Sequence, residues 1–407
     1  MNKSTLVSLA FAAAAASGWT FAQVSVSPGR NPNPPSVSPT PNASAVVSQG
    51  NVSVFTLPQV AKQAAGGVDY ANAKPLPLPR VPARSQLQSH YDLKDALTPR
   101  ATALQPGVSP GHKGSGIIKP MHLATPNVAS TQSERVAPQD FGTNEHAFTT
   151  ARADLGTVPA EHYYPFRASG KLFFNIGTGS HWCSAALIKR GVVVTAAHCV
   201  ALYGSQTFYS GWSFVPGYRN GVALTPPWSV RSVIVMTGYL NGTDPCQDGG
   251  VICPSDIALL LLNDQTGAYP GTALGWYAFG WDGYGFTSAG LAQITQLGYP
   301  FCLDRGLLME RNDSYAYTSA SLANNNVIGT LMCEGSSGGP WLVNFGVQPL
   351  LNQTNAGAAG EPNTIVGVTS WGYTTTGPKE AGASPFSSGN IVMLINTACS
   401  EMPAACL

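Results

Sequence analysis

Three short stretches of the 407-residue chain carry side chains that could together hydrolyse an acyl bond. His198 follows an apolar run in VVVTAAHCV, Asp256 leads the apolar run in SDIALLLL, and Ser337 lies in the glycine-rich stretch CEGSSGGPW. A serine hydroxyl is a weak nucleophile until a neighbouring base, often a histidine, takes its proton. A carboxylate can hold the second imidazole nitrogen and stabilise the imidazolium that forms. The three residue types therefore indicate nucleophilic catalysis, although each stretch alone could be structural.

Two cysteines, Cys183 and Cys199, flank the strand-like run that ends at His198. A disulfide across a loop of this length would stabilise the fold by about 3 kcal/mol in the chain-entropy model, and it would clamp the run that carries the histidine. At this point the sequence resembles the chymotrypsin-like serine peptidases. Their general-base histidine lies in a T/S-A-A-H-C motif with a disulfide partner at the same upstream distance, so the resemblance implies a Cys183–Cys199 bond.

The resemblance extends to the other two stretches. In this family D-I-A-L carries the triad acid, which here is Asp256. GSSGGP matches the family's G-D-S-G-G-P at every position but one, and the third position is the nucleophile, which implies Ser337 and not Ser336. The glycines permit a tight turn whose backbone N–H groups converge, and the amides of Gly335 and Ser337 would then hold the oxyanion of the tetrahedral intermediate.

Rival interpretations of these stretches are weaker. Asp244, Asp248 and Asp282 could replace Asp256, but each lies in a Gly-rich or polar stretch that is typical of a loop. GSSGG also satisfies G-x-S-x-G, the nucleophile elbow of α/β-hydrolases, but that fold needs its histidine after the serine. All seven histidines precede Ser337, and the order His, Asp, Ser is that of the chymotrypsin-like group.

Two features depart from the animal trypsins. Those enzymes begin with an Ile/Val-Val-Gly-Gly motif whose new amine pairs with the aspartate just before the serine, whereas this chain has Ser336 there and no such start. An oxyanion hole in this protein must therefore be preorganised by other means. The stretches LGYPFC and PFRASGKLFF are more similar to the bacterial glutamyl-endopeptidase-like branch of the family.

The specificity pocket also departs from the trypsins. The resemblance puts its base at Leu331, where a trypsin has aspartate, and Met332 follows. Thr369 stands where glutamyl endopeptidases carry a histidine. We therefore expect an uncharged residue before the scissile bond. The family strand that adds a substrate as an extra β-strand is matched by Ser370, Trp371 and Gly372, which could equally be a core strand with a buried Trp.

Composition predicts an exported protein. Residues 1–22 combine Lys3, a short apolar run and small residues at a cleavage point, as in a signal peptide, and the run is too short to span a bilayer.

The net charge of +1 with only 10% charged residues gives no electrostatic footprint for nucleic acid or an acidic membrane surface. Eight cysteines without zinc-ligand spacing predict disulfides and an oxidising compartment, extracellular or periplasmic. Beyond Cys183–Cys199, sequence alone does not fix the connectivity, and the suggested pairs are Cys246–Cys253, Cys302–Cys333 and Cys399–Cys406.

The chain divides by composition near residue 160. Residues 23–160 are rich in Pro and poor in aromatic residues, and they cannot bury enough apolar surface for a packed domain. We expect a mostly disordered propeptide or leader, with a small pro-domain around the helix-like His90–Leu104 as the alternative. Residues 161–407 contain short runs of branched and aromatic residues separated by Gly, Pro and Asn, which predict an all-β unit. The resemblance makes this unit two packed six-stranded antiparallel barrels with the triad between them.

These expectations combine into one hypothesis. The chain is a secreted, monomeric serine endopeptidase, made as a precursor, that acts on protein or peptide substrates and needs no metal or cofactor for its chemistry. It does not bind nucleic acid or insert into a membrane. The alternative is a secreted binding protein on a protease scaffold with little or no turnover, because fold does not guarantee function.

Overall fold

A computed structural model describes residues 46–57, 67–81, 105–127, 147–154, 158–347, 360–373 and 379–407. The expected signal peptide at residues 1–22 and the helix considered at His90–Leu104 lie outside the described residues. Among the residues that the structure describes, no helix is both long and apolar enough to cross a membrane.

The described parts of the Pro-rich leader form seven short strands, which composition did not predict. Most of this region lies outside the described residues. The strands are β1 (Val46–Gln49), β2 (Val52–Thr56), β3 (Lys74–Pro75), β4 (Arg80–Val81), β5 (Gly107–Ser109), β6 (Met121–His122) and β7 (Phe148–Arg152). Six of the seven strands belong to one of the two large sheets, and β6 forms a separate two-stranded sheet with residues Val222 and Ala223.

The first closed barrel follows directly. Its six strands pair antiparallel in the order β15, β13, β8, β9, β10, β16, and β16 returns to β15. Branched and aromatic residues of these strands point inward, and Leu172, Phe214 and Val193 are fully buried. The strands of this region are β8 (Ser169–Ile176), β9 (Gly179–Lys189), β10 (Val192–Thr195), β11 (Ala201–Leu202), β12 (Thr207–Phe208), β13 (Ser210–Pro216), β14 (Val222–Ala223), β15 (Trp228–Met236) and β16 (Ala258–Leu262).

The second barrel has the same construction. Its six strands run antiparallel in the order β18, β19, β20, β23, β22, β21, and β21 returns to β18. Its core contains Ile294, Ile328 and Trp341, all fully buried. The strands are β17 (Ala278–Trp281), β18 (Leu291–Gly298), β19 (Glu310–Ser319), β20 (Asn325–Gly329), β21 (Pro340–Val343), β22 (Thr364–Tyr373) and β23 (Glu380–Pro385). The prediction of two closed six-stranded antiparallel barrels is confirmed.

Helices are few among the described residues. The longest begins after Asn390, whose side-chain oxygen accepts a hydrogen bond from the amide of Ile391 and so caps the helix. The α-helices are α1 (Thr237–Asn241), α2 (Pro270–Leu274), α3 (Ile391–Glu401) and α4 (Pro403–Cys406). Single turns of 3₁₀ helix cover Ala160–His162, Phe166–Ala168, Ala197–Cys199 and Asp304–Gly306.

Leader strands extend both barrels. β2 pairs antiparallel with β15, β7 with β19, and β5 with β17. β3 and β4 differ, because each pairs in parallel, β3 with β9 of the first barrel and β4 with β22 of the second. The segment between β3 and β4 therefore passes from one barrel to the other.

The eight cysteines form four disulfides. The bonds join Cys183 to Cys199, Cys246 to Cys253, Cys302 to Cys333 and Cys399 to Cys406, and these are the pairs that the sequence suggested. Among the described residues, His198 lies near the sulfurs of Cys183 and Cys199, and Asp244 lies near those of Cys246 and Cys253. All four of these sulfurs are in disulfide bonds. A bonded sulfur is not a thiolate, so these groups are not the thiolate-rich clusters in which zinc is held.

Candidate active site

Strand register places His198 beside Asp256. β10 and β16 are antiparallel neighbours, with Thr195 opposite Ala258. His198 lies three residues after Thr195 in the 3₁₀ turn that follows β10, and Asp256 lies two residues before Ala258. The end of one strand and the start of the other share one edge of the barrel. The Cys183–Cys199 bond fastens this turn to β9.

The Asp256 carboxylate is the centre of a hydrogen-bond network. Its Oδ2 lies 2.7 Å from His198 Nδ1, and its Oδ1 accepts the His198 amide at 2.9 Å. Ser370 Oγ donates to Oδ2 at 2.6 Å, and the Asp256 amide donates to Ser384 Oγ at 3.1 Å. Because a carboxylate only accepts, the proton of the Nδ1 contact belongs to the imidazole, which leaves Nε2 available as an acceptor.

This network determines the charge of Asp256. Burial alone would raise the pKa of Asp256, but the electrostatic attraction and hydrogen bonds of His198 together with the Ser370 hydroxyl outweigh it, and the pKa lies below its ordinary value. The rival Asp244 accepts the Ser255 amide, and Asp282 accepts the amide of Ser388. Of the aspartates considered from the sequence, Asp256 is therefore the one bonded to His198 in the described part of the chain.

The serine-bearing turn distinguishes its two hydroxyls. Ser336 Oγ donates to the carbonyl of Cys333 at 2.7 Å, so its proton is engaged. Ser337 Oγ is buried and has no hydrogen-bond partner among the described residues, and the same is true of His198 Nε2. Buried polar atoms are almost always paired, so two orphans of this kind call for an explanation. Of the two hydroxyls, that of Ser337 is therefore the one not engaged by a neighbouring group among the described residues.

Two backbone amides of this turn are oriented by their own peptide planes. The carbonyl of Glu334 accepts the Phe301 amide at 2.8 Å, and the carbonyl of Ser336 accepts the Gly339 amide at 2.9 Å. In a planar trans peptide the C=O and the following N–H point in opposite directions. These two bonds therefore fix the N–H groups of Gly335 and Ser337 in the directions opposite to the Phe301 and Gly339 amides.

Further contacts hold the turn to the first barrel. The Ser184 amide donates to the Ser337 carbonyl at 2.8 Å, and Ser184 Oγ donates to the Gly335 carbonyl at 2.9 Å. Gly338 has φ +75°, and a Cβ there would lie 2.0 Å from Thr195 Oγ1. The turn is fixed without a charge at position 336, where the hydroxyl bonds a local carbonyl instead.

The residues expected to bind substrate lie in the loop after β20 and in β22. Leu331 is half-buried, and the Met332 amide donates to Thr330 Oγ1 at 3.1 Å. Ser370 Oγ is engaged with Asp256, while Trp371 is fully buried and its Nε1 donates to Asn325 Oδ1 at 2.8 Å. The Trp371 side chain is thus a core residue. Its neighbour Gly372 offers its amide to a chain that lies alongside β22.

Several contacts of the site were not foreseen from the sequence. Ser184 and Ser384 are isolated serines without a motif of their own, and only the fold brings them to the nucleophile turn and to Asp256. The leader also reaches the site: the Gly335 amide donates to the carbonyl of Leu76 at 3.3 Å, and the Gly372 amide donates to the carbonyl of Pro79 at 2.9 Å. Its Pro-rich composition carried no signal of these contacts.

Comparison with known proteins decides the family. The family model described as Trypsin matches residues 156–390, which is more than half of the chain. The chain belongs to the trypsin family. It is accordingly a serine endopeptidase, a hydrolase, and the resemblance predicted from the motifs is confirmed.

One curated relative is trypsin alpha-4 of Lucilia cuprina, which is 27% identical over 211 residues, covering 48% of this chain and 69% of that protein. Among solved structures, the thermostable serine protease AL20 from an extremophilic microorganism matches at 21% identity and a TM-score of 0.47, over 58% of this chain and 98% of that one. Protease Anisep of Arthrobacter nicotinovorans matches at 21% identity and a TM-score of 0.45, over 59% of this chain and 96% of that one. A Glu endopeptidase matches at 18% identity and a TM-score of 0.43, over 62% of this chain and 96% of that one. With TM-scores below 0.5, these structural likenesses add nothing to the family assignment.

Two glycine substitutions test how tightly the turn is packed. Gly338 and Gly346 have nearly equal φ values, +75° and +73°, but a Cβ on Gly346 would meet nothing within 4 Å. Gly346→Ala should cost about 1 kcal/mol, the strain of a positive φ. Gly338→Ala should cost about 3 kcal/mol or more, because a clash with Thr195 and Ser184 is added. Urea unfolding measures both, and equal losses would contradict the packing described.

Proposed function

We propose that this trypsin-family protein is exported, is made as a precursor, and hydrolyses peptide bonds with His198, Asp256 and Ser337 as its catalytic triad. Two observations support the proposal: His198 Nε2 and Ser337 Oγ are both buried without a hydrogen-bond partner among the described residues, and the other imidazole nitrogen of His198 is held by the Asp256 carboxylate. Base and nucleophile contacts are often loose without substrate and tighten in the complex. Four disulfides are consistent with an oxidising compartment.

The proposed reaction has two acyl-transfer steps. Ser337 Oγ attacks the peptide carbonyl carbon while His198 Nε2 takes the hydroxyl proton, and Asp256 stabilises the imidazolium. The new oxyanion accepts hydrogen bonds from the amides of Gly335 and Ser337. The C–N bond then breaks, and His198 gives its proton to the leaving amine. Water repeats the sequence on the acyl-enzyme, which releases the acid and regenerates the Ser337 hydroxyl.

The two amides account for much of the expected rate enhancement. Removal of one such donor in an acyl-transfer enzyme costs about 2.7–4 kcal/mol of barrier, because donors fixed in advance need no reorganisation as charge develops. Here the carbonyls of Glu334 and Ser336 are already bonded, which holds both N–H groups in place. An ion pair to a new chain terminus is therefore not needed to build the site.

Active-site labelling separates this function from that of a catalytically silent binding protein. An organophosphonate that reacts with activated serines should modify the wild-type protein at Ser337 once proteolysis has removed the leader and opened the cleft. His198→Ala should lower the labelling rate at least 100-fold, because the base is lost. Ser337→Ala should abolish labelling and peptide hydrolysis while the unfolding midpoint changes little. Labelling that persists in Ser337→Ala, or absence of any adduct in the opened wild-type protein, would refute the triad.

The proposed substrate preference is an uncharged residue before the scissile bond. The resemblance to the family puts the pocket base at Leu331 beside Met332, and neither side chain carries a charge to pair with Lys, Arg or Glu. Burial of an unpaired charge in such a pocket is costly, so charged residues should be rejected. Mass-spectrometric profiling of a peptide library should return cleavage after apolar residues. Predominant cleavage after Lys, Arg or Glu would contradict this assignment.

A further inference from the structure

A stretch of the leader runs through the proposed catalytic cleft. Lys74 and Pro75 pair with β9, and the Leu76 amide donates to the Trp182 carbonyl at 2.9 Å. Arg80 and Val81, each six residues after Lys74 and Pro75, pair with β22. The stretch Lys74–Val81, which we call the cleft segment, thus joins one barrel to the other across the mouth of the site.

The cleft segment occupies the groups that the proposed function assigns to substrate. The Leu76 carbonyl accepts the Gly335 amide, one of the two oxyanion donors, at 3.3 Å. The Pro79 carbonyl accepts the Gly372 amide at 2.9 Å, on the strand edge expected to pair with a substrate backbone. A peptide substrate cannot use either donor while these bonds stand.

Side chains of the cleft segment are buried in an alternating pattern. Leu76 and Leu78 are 7% and 6% exposed, whereas Pro77 between them is exposed. In an extended chain, residues two apart face the same side, so both leucines point into the cleft. A Cβ on Gly372 would lie 3.0 Å from Leu78 Cδ2, which shows how closely this leucine packs on the strand edge.

An ion pair completes the attachment. Arg80 Nη2 lies 2.8 Å from Glu334 Oε1, and Arg80 Nη1 donates to the carbonyl of Tyr373 at 3.3 Å. Glu334 immediately precedes Gly335, so this pair lies next to the proposed oxyanion donors. Both side chains are partly exposed, and the pair contributes more to position than to affinity.

Sequence explains why this ligand would resist hydrolysis. The carbonyl held at Gly335 belongs to the Leu76–Pro77 bond, whose nitrogen carries a ring carbon in place of hydrogen. Prolines at 75, 77 and 79 also fix φ, so the cleft segment loses little conformational entropy when it binds. The leucines fill the cleft, and the prolines keep the segment extended.

We propose that Lys74–Val81 is an intramolecular inhibitor that fills the substrate cleft and keeps the precursor inactive until it is displaced or removed. This inference rests on the proposed function, since it assigns regulation to the same site. The inhibitor is this chain's own Leu-Pro-Leu-Pro-Arg stretch.

The test compares full-length proteins that intact mass shows to be uncut. Leu78→Asp puts a charge into the apolar cleft, and Arg80→Glu reverses the exposed ion pair, so the second variant covers the case in which the first fails to fold. Ile117→Asp is the matched control, because Ile117 is a leader residue that is 73% exposed and lies outside the cleft segment. Phosphonate labelling of Ser337 is timed in all four proteins.

We expect Leu78→Asp to label at least tenfold faster than wild type, Arg80→Glu to label several-fold faster, and Ile117→Asp to label at the wild-type rate. A synthetic peptide of residues 74–81, acetylated and amidated, should slow labelling of the Arg80→Glu protein and should itself remain intact. The same peptide with Asp in place of Leu78 should not slow it.

Two other outcomes overturn the inference in different ways. If wild type, the variants and the Ile117→Asp control all label fast and alike, the cleft segment is no inhibitor, although the proposed function stands. If no form labels, even after proteolytic removal of the leader, the proposed function fails and the inference fails with it.

Discussion

The buried carboxylate of Asp256 is the constraint on which the site depends. It accepts the imidazole and the amide of His198 from the first barrel and the hydroxyl of Ser370 from the second. A charge so deeply buried is tolerated only because several donors meet it. The same bonds that satisfy the charge hold the imidazole in one tautomer and tie the two barrels together, so stability and the proposed catalysis draw on one group.

A second constraint acts on the turn that carries Ser337. Hydrogen bonds to its carbonyl groups orient the backbone amides there, whereas in animal trypsins a buried ion pair does this. Bonds to the carbonyls of Glu334 and Ser336 fix the directions of two N–H groups, and Ser184 holds the turn to the first barrel. The turn has this shape before any substrate arrives. The regulation proposed here accordingly acts on access to the site, through the leader stretch in the cleft.

The fold and the pairing of His198 with Asp256 were largely predictable from the sequence, for physical reasons. The short apolar runs, such as VVVT of β10 and ALLLL of β16, predict buried strands from their composition alone. His198, Asp256 and Ser337 stand in motifs because tight turns and strand ends restrict their neighbours. Antiparallel pairing of β10 with β16 then brings the first two together through register alone.

Other parts of the site could not be predicted, because they depend on contacts between distant residues. Ser384 lies 128 positions from Asp256, and nothing around this serine marks it as a partner. The leader was expected to be mostly disordered because it has little apolar surface of its own. Several of its described strands pair with strands of the two large sheets, and Leu76 and Leu78 are buried against the barrels. Composition measures what a segment can bury by itself and not what it can bury against a neighbour.

A crystal structure of the phosphonate adduct tests the central claim most directly, because the phosphonyl oxygen takes the position of the oxyanion. The account predicts phosphorus bonded to Ser337 Oγ and the phosphonyl oxygen about 2.7–3.1 Å from the amides of Gly335 and Ser337, with the Leu76 carbonyl displaced. An oxygen pointing away from both amides, or His198 swung out of contact with Asp256, would contradict it.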